Sequence, residues 1–244
     1  MKAWLNRREV LKLGGVAVAA LVAGEGPAGS EAERSLRDAA DALDHLMVGA
    51  KDLNAGMVWF EKRTGVRPAI GGVHPGRGTR NALASLGGRH YLEIIAPDPA
   101  QVSGRGPLLE LIRSCKTPRP IGWAASSPDV QATARMVAAA GLKADAPLPG
   151  SRQRPDGRLL RWTTLNLEQP GALLPFFIQW SADSPHPSQD APGGCTLAGV
   201  GFESPRPEEV ARELRALGIR AQVTRGPEAK VQVALKTPKG AVEI

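Results

Sequence analysis

His45 and Glu93 are two ionisable residues that stand on otherwise apolar runs of the sequence. His45 belongs to the run LDHLMV at 43–48, and Glu93 belongs to the run YLEII at 91–95. Each run is typical of a short buried strand, on which alternate side chains face the same side of a sheet. Imidazole and carboxylate groups bind divalent metals and exchange protons. If both strands belong to one sheet, we expect His45 and Glu93 to meet on one surface.

A recurring pattern of strand and helix must position these two residues. Apolar runs typical of strands start at positions 43, 121 and 197, which are 78 and 76 residues apart. Glycines that would end the following helix lie at positions 65, 141 and 218, which are 76 and 77 residues apart. Two unrelated landmarks that stay in step along the chain indicate three copies of one supersecondary unit.

Each copy reads as a strand, a helix and further strands. In the first copy Asp52 is a predicted N-cap and Gly65 a predicted helix stop. In the second copy Ser127 and Pro128 are the predicted cap and first helical residue. The strands predicted after the helices cover 69–74, 81–86 and 90–95, then 158–166 and 174–180, then 220–224, 230–236 and 241–244. The sequence therefore predicts an α+β fold of three tandem βαβββ units, at about 43–96, 119–181 and 195–244.

This order of elements, with a histidine on the first strand and a glutamate on the last, resembles the vicinal oxygen chelate superfamily. More narrowly, it resembles the glyoxalase-like domain branch. The motifs that carry the resemblance are LDH at 43–45, HPGRGTRN at 74–81, YLE at 91–93, PFFIQW at 175–180 and His186-Pro187. The resemblance covers about residues 42–244, and it implies curled mixed sheets around a concave cavity.

The resemblance also implies a set of site residues. Superfamily members bind a divalent metal through residues on the first and last strands of paired units. By position, this implies that His45 and Glu93 are metal ligands and the catalytic residues, and that Gln179 completes the ligand set, with His74 and His186 as alternatives. The residues expected to bind substrate are His74, Arg77, Thr79, Asn81, Trp123 and His186. Arg77 and Arg80 would suit an anionic substrate.

Two functions follow from this resemblance. In the first, a divalent metal (zinc, iron, manganese or nickel) polarises two neighbouring oxygens of a small molecule, as in an isomerase, a lyase or a dioxygenase. In the second, a metal-free protein binds and sequesters a ligand in the same cavity. A buried ion pair between His45 and Glu93 without any function is the structural alternative. The oligomeric state is left open, a homodimer being one alternative.

The first 29 residues have the layout of an export signal. Arg7 and Arg8, within NRREVLK at 6–12, resemble the twin-arginine motif, and an apolar run follows at 13–23. That run is too short to span a bilayer, which needs about 20 apolar residues, so we expect no stable membrane anchor. Residues 30–42 suit a linker or a loose first helical turn. We expect an exported protein that uses the twin-arginine machinery and is periplasmic or extracellular.

Net charge and cysteine content bear on two further questions, a nucleic-acid partner and a disulfide bond. The formal net charge of +7 falls to +5 once residues 1–29, with four basic and two acidic residues, are left out. No stripe of lysine and arginine interleaved with aromatic residues appears, so the sequence does not indicate a nucleic-acid partner. Cys115 and Cys195 are the two cysteines, and an export compartment would permit a disulfide between them. Their spacing decides neither for a bond nor for two buried thiols.

Replacing both Arg7 and Arg8 by lysine is expected to abolish export. The double variant keeps the positive charge but loses the paired guanidinium groups, and lysine does not replace arginine where that planar group is recognised. Immunoblots of fractionated cells measure the outcome, and the variant should remain in the cytoplasmic fraction. A Lys2→Arg variant, changed outside the paired arginines, is the control and should be exported. Normal export of the double variant would contradict the assignment.

Overall fold

A computed structural model of the protein describes residues 36–101, 104–168 and 173–244. The export signal expected at 1–29 lies outside these residues. The strands are β1 (Arg37–Asp38), β2 (Leu43–Gly49), β3 (Ala69–His74), β4 (Thr79–Ser85), β5 (Tyr91–Pro97), β6 (Arg119–Ser126), β7 (Leu148–Gln153), β8 (Leu159–Leu165), β9 (Phe176–Trp180), β10 (Thr196–Ser204), β11 (Ile219–Arg220), β12 (Val223–Arg225), β13 (Lys230–Thr237) and β14 (Gly240–Glu243). The helices are α1 (Ala39–Ala42), α2 (Leu53–Thr64), α3 (Pro107–Ser114), α4 (Val130–Ala139) and α5 (Pro207–Ala216), with a 3-10 turn at Pro187–Gln189.

The first two units close into one eight-stranded barrel in the order β2-β5-β4-β3-β7-β8-β9-β6. Within each unit the first strand pairs in parallel with the last, β2 with β5 and β6 with β9. Antiparallel pairing of β2 with β6, and of β3 with β7, joins the two units at two seams. Closure leaves no free sheet edge, and side chains of alternate residues point into the barrel. The α+β fold of curled sheets around a cavity is confirmed.

Local sequence signals explain the helices of the two barrel units. Asp52 caps α2 by accepting a 2.8 Å hydrogen bond from Ala55 N, and Gly65 follows with a φ of 82°, which favours glycine. In the second unit the helix begins two residues later than the sequence indicated. Asp129 caps α4, because its Oδ1 accepts from the backbone of Gln131 and Ala132.

Ser127 therefore does not cap α4, in contrast to the sequence prediction. Its hydroxyl lies 2.8 Å from Thr133 Oγ1 instead. A carboxylate at the N-cap position is favoured over a hydroxyl further upstream, since its oxygen reaches two unpaired amide groups of the first turn.

The third unit has the expected order of elements but a different pairing of strands. Its sheet runs β12-β10-β13-β14, so the first strand, β10, lies between β12 and β13 rather than beside the last strand. Trp123 of the barrel contacts Phe202 of β10, with 5.5 Å between ring centroids. These rings belong to the main hydrophobic core, which lies between the barrel and the third unit.

Part of the segment expected as a linker is structured. β1 pairs in parallel with β11, and Ala39 and Ala42 of α1 are buried in the main core. Both cysteines, Cys115 and Cys195, are free and buried. Among the described residues, no helix is long and apolar enough to cross a membrane.

Candidate active site

The interior of the barrel holds a cavity of about 810 Å³. A volume of this size is ordinary for a site that binds a small molecule. Apolar side chains form much of its wall, among them Met47, Ile95, Ile121, Trp162, Phe176 and Ile178. One part of the wall is polar and buried, and we call its residues the polar cluster: His45, His74, Asn81, Glu93 and Arg152.

His45 is the residue of the polar cluster that lies on β2. Its Nδ1 lies 2.8 Å from Oδ1 of Asp44. An ionised carboxylate only accepts hydrogen bonds, so Nδ1 carries the donated proton. Nε2 is then the nitrogen that gains or loses a proton, and it lies 3.6 Å from Oε2 of Glu93. The imidazole also stacks on Tyr91, with 4.6 Å between ring centroids, and this contact holds its orientation.

Glu93 lies on β5, beside His45, and its two carboxylate oxygens have different surroundings. Oε1 accepts a 2.6 Å hydrogen bond from Asn81 Nδ2, and Oε2 faces the imidazole of His45. Burial alone would raise the pKa of Glu93. The charges of His45 and His74, the hydrogen bond from Asn81 and the charge of Arg152 together hold the pKa below its ordinary value. Glu93 is therefore ionised at neutral pH.

His74, at the end of β3, faces the other carboxylate oxygen of Glu93, with 3.7 Å between Nε2 and Oε1. Its Nδ1 lies 2.9 Å from the hydroxyl of Thr79, and Asn81 Nδ2 lies 3.3 Å from its Nε2. Since the amide nitrogen of Asn81 can only donate, Nε2 accepts and Nδ1 carries the proton. Burial lowers the pKa of His74 against the opposing charge of Glu93. His74 is therefore a neutral imidazole at neutral pH.

Asp44 is a buried carboxylate that holds two histidines. Its Oδ1 contacts His45, and its Oδ2 lies 3.2 Å from Nε2 of His186 and accepts a 3.1 Å hydrogen bond from Trp180 Nε1. Burial alone would raise its pKa. The hydrogen bonds to His186 and His45, with their charges, lower the pKa of Asp44 to about 2. Asp44 is thus a fixed negative charge behind His45.

The structure brings five of the residues expected at the site around the cavity. His45, His74, Thr79, Asn81 and Glu93 line it together and are buried. Their strands are adjacent in the order β2-β5-β4-β3, so their inward-facing positions lie side by side.

The two arginines of the glycine-rich hairpin have different positions. Arg77 is exposed at the edge of the cavity, whereas Arg80 is not among the residues that line it. The charge of Arg80 instead helps to lower the pKa of Asp98, after the hydrogen bonds that this carboxylate accepts from Gln101 and Ala100.

Three other residues expected at the site have different positions. Gln179 lies on β9 between the inward-facing Ile178 and Trp180, so strand alternation turns it outward. Its Oε1 accepts a 2.9 Å hydrogen bond from Val130 N at the start of α4. Gln179 was expected to be a metal ligand, and its outward position contradicts that expectation.

Trp123 and His186 were both expected to bind substrate, and of the two only Trp123 is among the residues that line the cavity. The indole of Trp123 is fully buried, and its Nε1 donates a 3.0 Å hydrogen bond to the carbonyl of Leu173. His186 is buried outside the cavity lining, between Asp44 and the hydroxyl of Ser188. His186 therefore supports the barrel wall from behind.

Sequence reasoning missed Asp44 and Arg152. Asp44 carried a usable signal, because a charged residue next to His45 on an apolar strand requires a buried partner. Strand alternation would turn neighbours to opposite faces, but the pairing of β2 with β6 shifts register between Leu43 and His45. Arg152 lies on β7, a strand that the apolar pattern did not indicate, and one arginine among many carried no signal.

The polar cluster contains the donor types that suit a divalent metal but does not arrange them for one. Two imidazoles and one carboxylate form a common metal-binding set. The amide of Asn81, however, bonds Oε1 of Glu93 and lies beside Nε2 of His74, between these two groups. Among the described residues, no three His, Cys, Asp or Glu side chains are placed to hold a metal ion. The arrangement does not fit a metal site with three protein ligands.

Comparisons with known proteins give the following matches. A family described as "Glyoxalase-like domain" matches this chain over residues 43–218. No curated protein sequence matches. A solved structure of a hypothetical protein from Staphylococcus aureus is 14% identical, with a TM-score of 0.61, over 77% of this chain and 87% of that chain. At this identity the similarity shows the shared fold alone.

Two methylmalonyl-CoA epimerase structures match with lower TM-scores and over less of this chain. The enzyme from Mycobacterium tuberculosis is 18% identical, with a TM-score of 0.40, over 57% of this chain and 86% of that chain. A Streptomyces coelicolor epimerase variant in complex with 2-nitronate-propionyl-CoA is 19% identical, with a TM-score of 0.41, over 58% of this chain and 98% of that chain. Similarity at this level carries no argument about the chemistry of the present cavity.

Replacing Asp44 by asparagine is expected to lower the free energy of unfolding at neutral pH by about 2 kcal/mol. The pKa of Asp44 is about 2 in the folded protein, below its ordinary value of 3.8, so folding favours the ionised form. This stabilisation is fully present above about pH 4 and is lost as the pH falls towards about 2. Urea denaturation of both proteins across this pH range measures the difference.

An Asp183→Asn variant is the control, because the side chain of Asp183 is 66% exposed. Its free energy of unfolding should differ little from that of the wild type at any pH, since exposed ion pairs contribute little. A difference between wild type and Asp44→Asn that stays constant from neutral to acid pH would contradict the role of Asp44.

Proposed function

The chain belongs to the family of proteins with a glyoxalase-like domain, and from that premise we propose that it is a small-molecule isomerase or lyase. Its barrel cavity binds a substrate with neighbouring oxygen atoms. His45 and Glu93 transfer a proton to and from a carbon atom beside one of these oxygens. Reactions of this class need an acid–base pair held within reach of one carbon atom.

The observation that carries the proposal is the approach of His45 Nε2 to Glu93 Oε2 at 3.6 Å within the cavity wall. This separation is too long for a hydrogen bond between the two atoms. Each atom therefore retains the capacity to bond a substrate. Glu93 is ionised at neutral pH because its pKa is lowered, so it can accept a proton. A proton on His45 Nε2 would lie between two ionised carboxylates, Asp44 and Glu93.

The surroundings of the pair limit its freedom to move. Asp44 fixes the ring of His45 through Nδ1, and Asn81 fixes the carboxylate of Glu93 through Oε1. A base oriented by a third group is the arrangement that recurs in enzymes that move protons. Buried ionisable groups with shifted pKa values in a cavity are candidates for catalysis on general grounds.

A metal-free binding protein is the second candidate. The observation in its favour is the apolar part of the cavity wall, formed largely by Trp162, Phe176, Ile178 and Trp180. Such a wall binds the apolar part of a ligand without any chemical step. The two candidates share the cavity and differ in whether His45 and Glu93 exchange protons with the ligand.

Proton exchange in deuterium oxide separates these two functions. The full chain is incubated with a panel of small 2-oxo, 3-oxo and 2-hydroxy carbonyl compounds, and nuclear magnetic resonance follows the loss of each α-proton signal. We expect accelerated exchange with at least one compound. His45→Gln and Glu93→Gln should each slow it by about 10²- to 10⁴-fold, the usual contribution of one acid–base group.

The histidine control is His90→Gln. His90 bonds the carbonyl of Leu43 at 2.6 Å and does not line the cavity, so exchange should persist in this variant. Melting curves establish that each variant is folded. Exchange that survives unchanged in both His45→Gln and Glu93→Gln would contradict the proposal. Ligand binding without exchange would favour the metal-free binding protein.

Metal analysis tests the arrangement of the polar cluster. We expect less than one zinc, iron, manganese or nickel ion per chain in the purified protein, because Asn81 occupies the space between Glu93 and His74. Inductively coupled plasma mass spectrometry measures the content. One ion per chain that is lost in His45→Ala and retained in Gln179→Ala would favour the metal-dependent alternative.

A further inference from the structure

We infer that the cavity binds an organic monocarboxylate and that the guanidinium of Arg152 holds its carboxylate group. The inference rests on the proposed function only in taking the barrel cavity as the binding site. It adds the chemical class of the ligand and assigns the residue that recognises it.

Arg152 is a buried arginine with unused hydrogen-bonding capacity. Its side chain lines the cavity and the residue is 3% exposed. One hydrogen bond occupies it, from Nη1 to Asn81 Oδ1 at a long 3.4 Å. Within the described part of the chain, its other N–H groups have no acceptor at hydrogen-bonding distance. These groups are not among the described buried side-chain atoms that lack a partner, so they keep contact with the solvent of the cavity, where a ligand can accept from them.

The charge of Arg152 is directed at the polar cluster rather than neutralised outside it. Its charge acts on Glu93, His74 and Tyr91, which all line the cavity. Asn81 lies between Arg152 and Glu93, since it accepts from one and donates to the other. Asn81 thus separates the two charges, and the N–H groups at the edge of the guanidinium stay available for a carboxylate.

Two glycines of β3 leave room for the side chain of Arg152. A Cβ at Gly71 would lie 2.5 Å from Arg152 Nη1 and 2.3 Å from Asn81 Oδ1. A Cβ at Gly72 would lie 3.1 Å from Arg152 Cγ. Any larger residue at position 71 would push apart the contact between Arg152 and Asn81. Glycine at positions 71 and 72 thus allows Arg152 to lie in this position.

The balance of charge favours a ligand with a single negative charge. The cluster holds one arginine beside the ionised Glu93, and His74 is neutral. A phosphate monoester would bring close to two negative charges at neutral pH. A carboxylate brings one, and it matches the fork of the guanidinium in a two-point contact.

The charged residues at the edge of the cavity do not indicate whether the ligand is an anion or a cation. Arg77 and Arg105 are exposed there, but Asp145 and Glu168 line the same cavity and are exposed as well. Leu108 and Leu111 add partly exposed apolar surface. The inference therefore depends on the buried Arg152 and not on this mixed edge.

Isothermal titration calorimetry of the full chain tests the inference with three probes of one chain length. The probes are hexanoate, its neutral analogue hexanamide, and hexyl phosphate. We expect wild-type protein to bind hexanoate about tenfold more tightly than hexanamide, the effect of one charge-assisted contact. Arg152→Gln should remove this preference, and Arg152→Lys should retain part of it, because lysine keeps the charge but loses the fork.

The matched control is Arg154→Gln, two residues along the chain. Arg154 contacts Asp190 and Asp156 and does not line the large cavity, so its loss should leave the preference for hexanoate unchanged. Melting curves report the folding of each variant. If Arg152→Gln does not fold, Arg152→Lys carries the test alone, and an undiminished preference in that variant overturns the inference.

Three results would overturn the inference. They are no binding of hexanoate by the wild type, equal binding of hexanoate and hexanamide, and a preference that persists in Arg152→Gln. Tighter binding of hexyl phosphate than of hexanoate overturns the assignment of a singly charged ligand.

The outcome is separable from that of the proposed function. Hexanoate binding that depends on Arg152, in a protein that exchanges no α-protons, supports the inference and contradicts the proposed isomerase or lyase. Exchange that depends on His45 but is equally fast with neutral carbonyl compounds in Arg152→Gln supports the proposed isomerase or lyase and contradicts the inference.

Discussion

The site depends on one constraint, which is that the negative charges of two buried carboxylates must be compensated. Asp44 and Glu93 are both buried and both ionised at neutral pH, a state that costs several kcal/mol per ion without partners. Asp44 is compensated by His45, His186 and Trp180, and Glu93 by Asn81 and the charges around it. His45 contacts the first carboxylate and faces the second. The orientation of its reactive nitrogen is therefore a consequence of how the barrel neutralises its own interior.

The two barrel units contribute unequally to the cavity. The first unit supplies His45, His74, Asn81 and Glu93, whereas the second supplies Arg152 and much of the apolar wall. A symmetric pair of units would place ligating residues on β6 and β9 as well. There, Gly122 leaves open space and Gln179 is turned outward to α4. The cavity consequently combines a polar cluster with apolar wall residues, which suits a ligand that is itself amphipathic.

Much of the barrel was predictable from the sequence, because its signals are local. Asp52 and Gly65 bound α2, and β3 covers the range that the pattern indicated. The predicted N-cap of α4 was wrong, because Asp129, two residues after Ser127, bonds the free amide groups of the first turn instead. The pairing in the third unit was not predictable, since hydrogen bonds between strands are set by contacts distant in the sequence and not by strand order.

The sequence by itself determined that His45 and Glu93 each stand on a buried strand, because each interrupts an apolar run of alternating side chains. Only the tertiary structure decided what surrounds them. Arg152 arrives from the second unit, across the seam of β3 and β7, and His186 arrives from a segment after β9. Which residue meets which across a closed barrel depends on strand register, and a shift of one residue turns every side chain to the other face. That register belongs to the packed sheet as a whole and leaves no signal in any single strand.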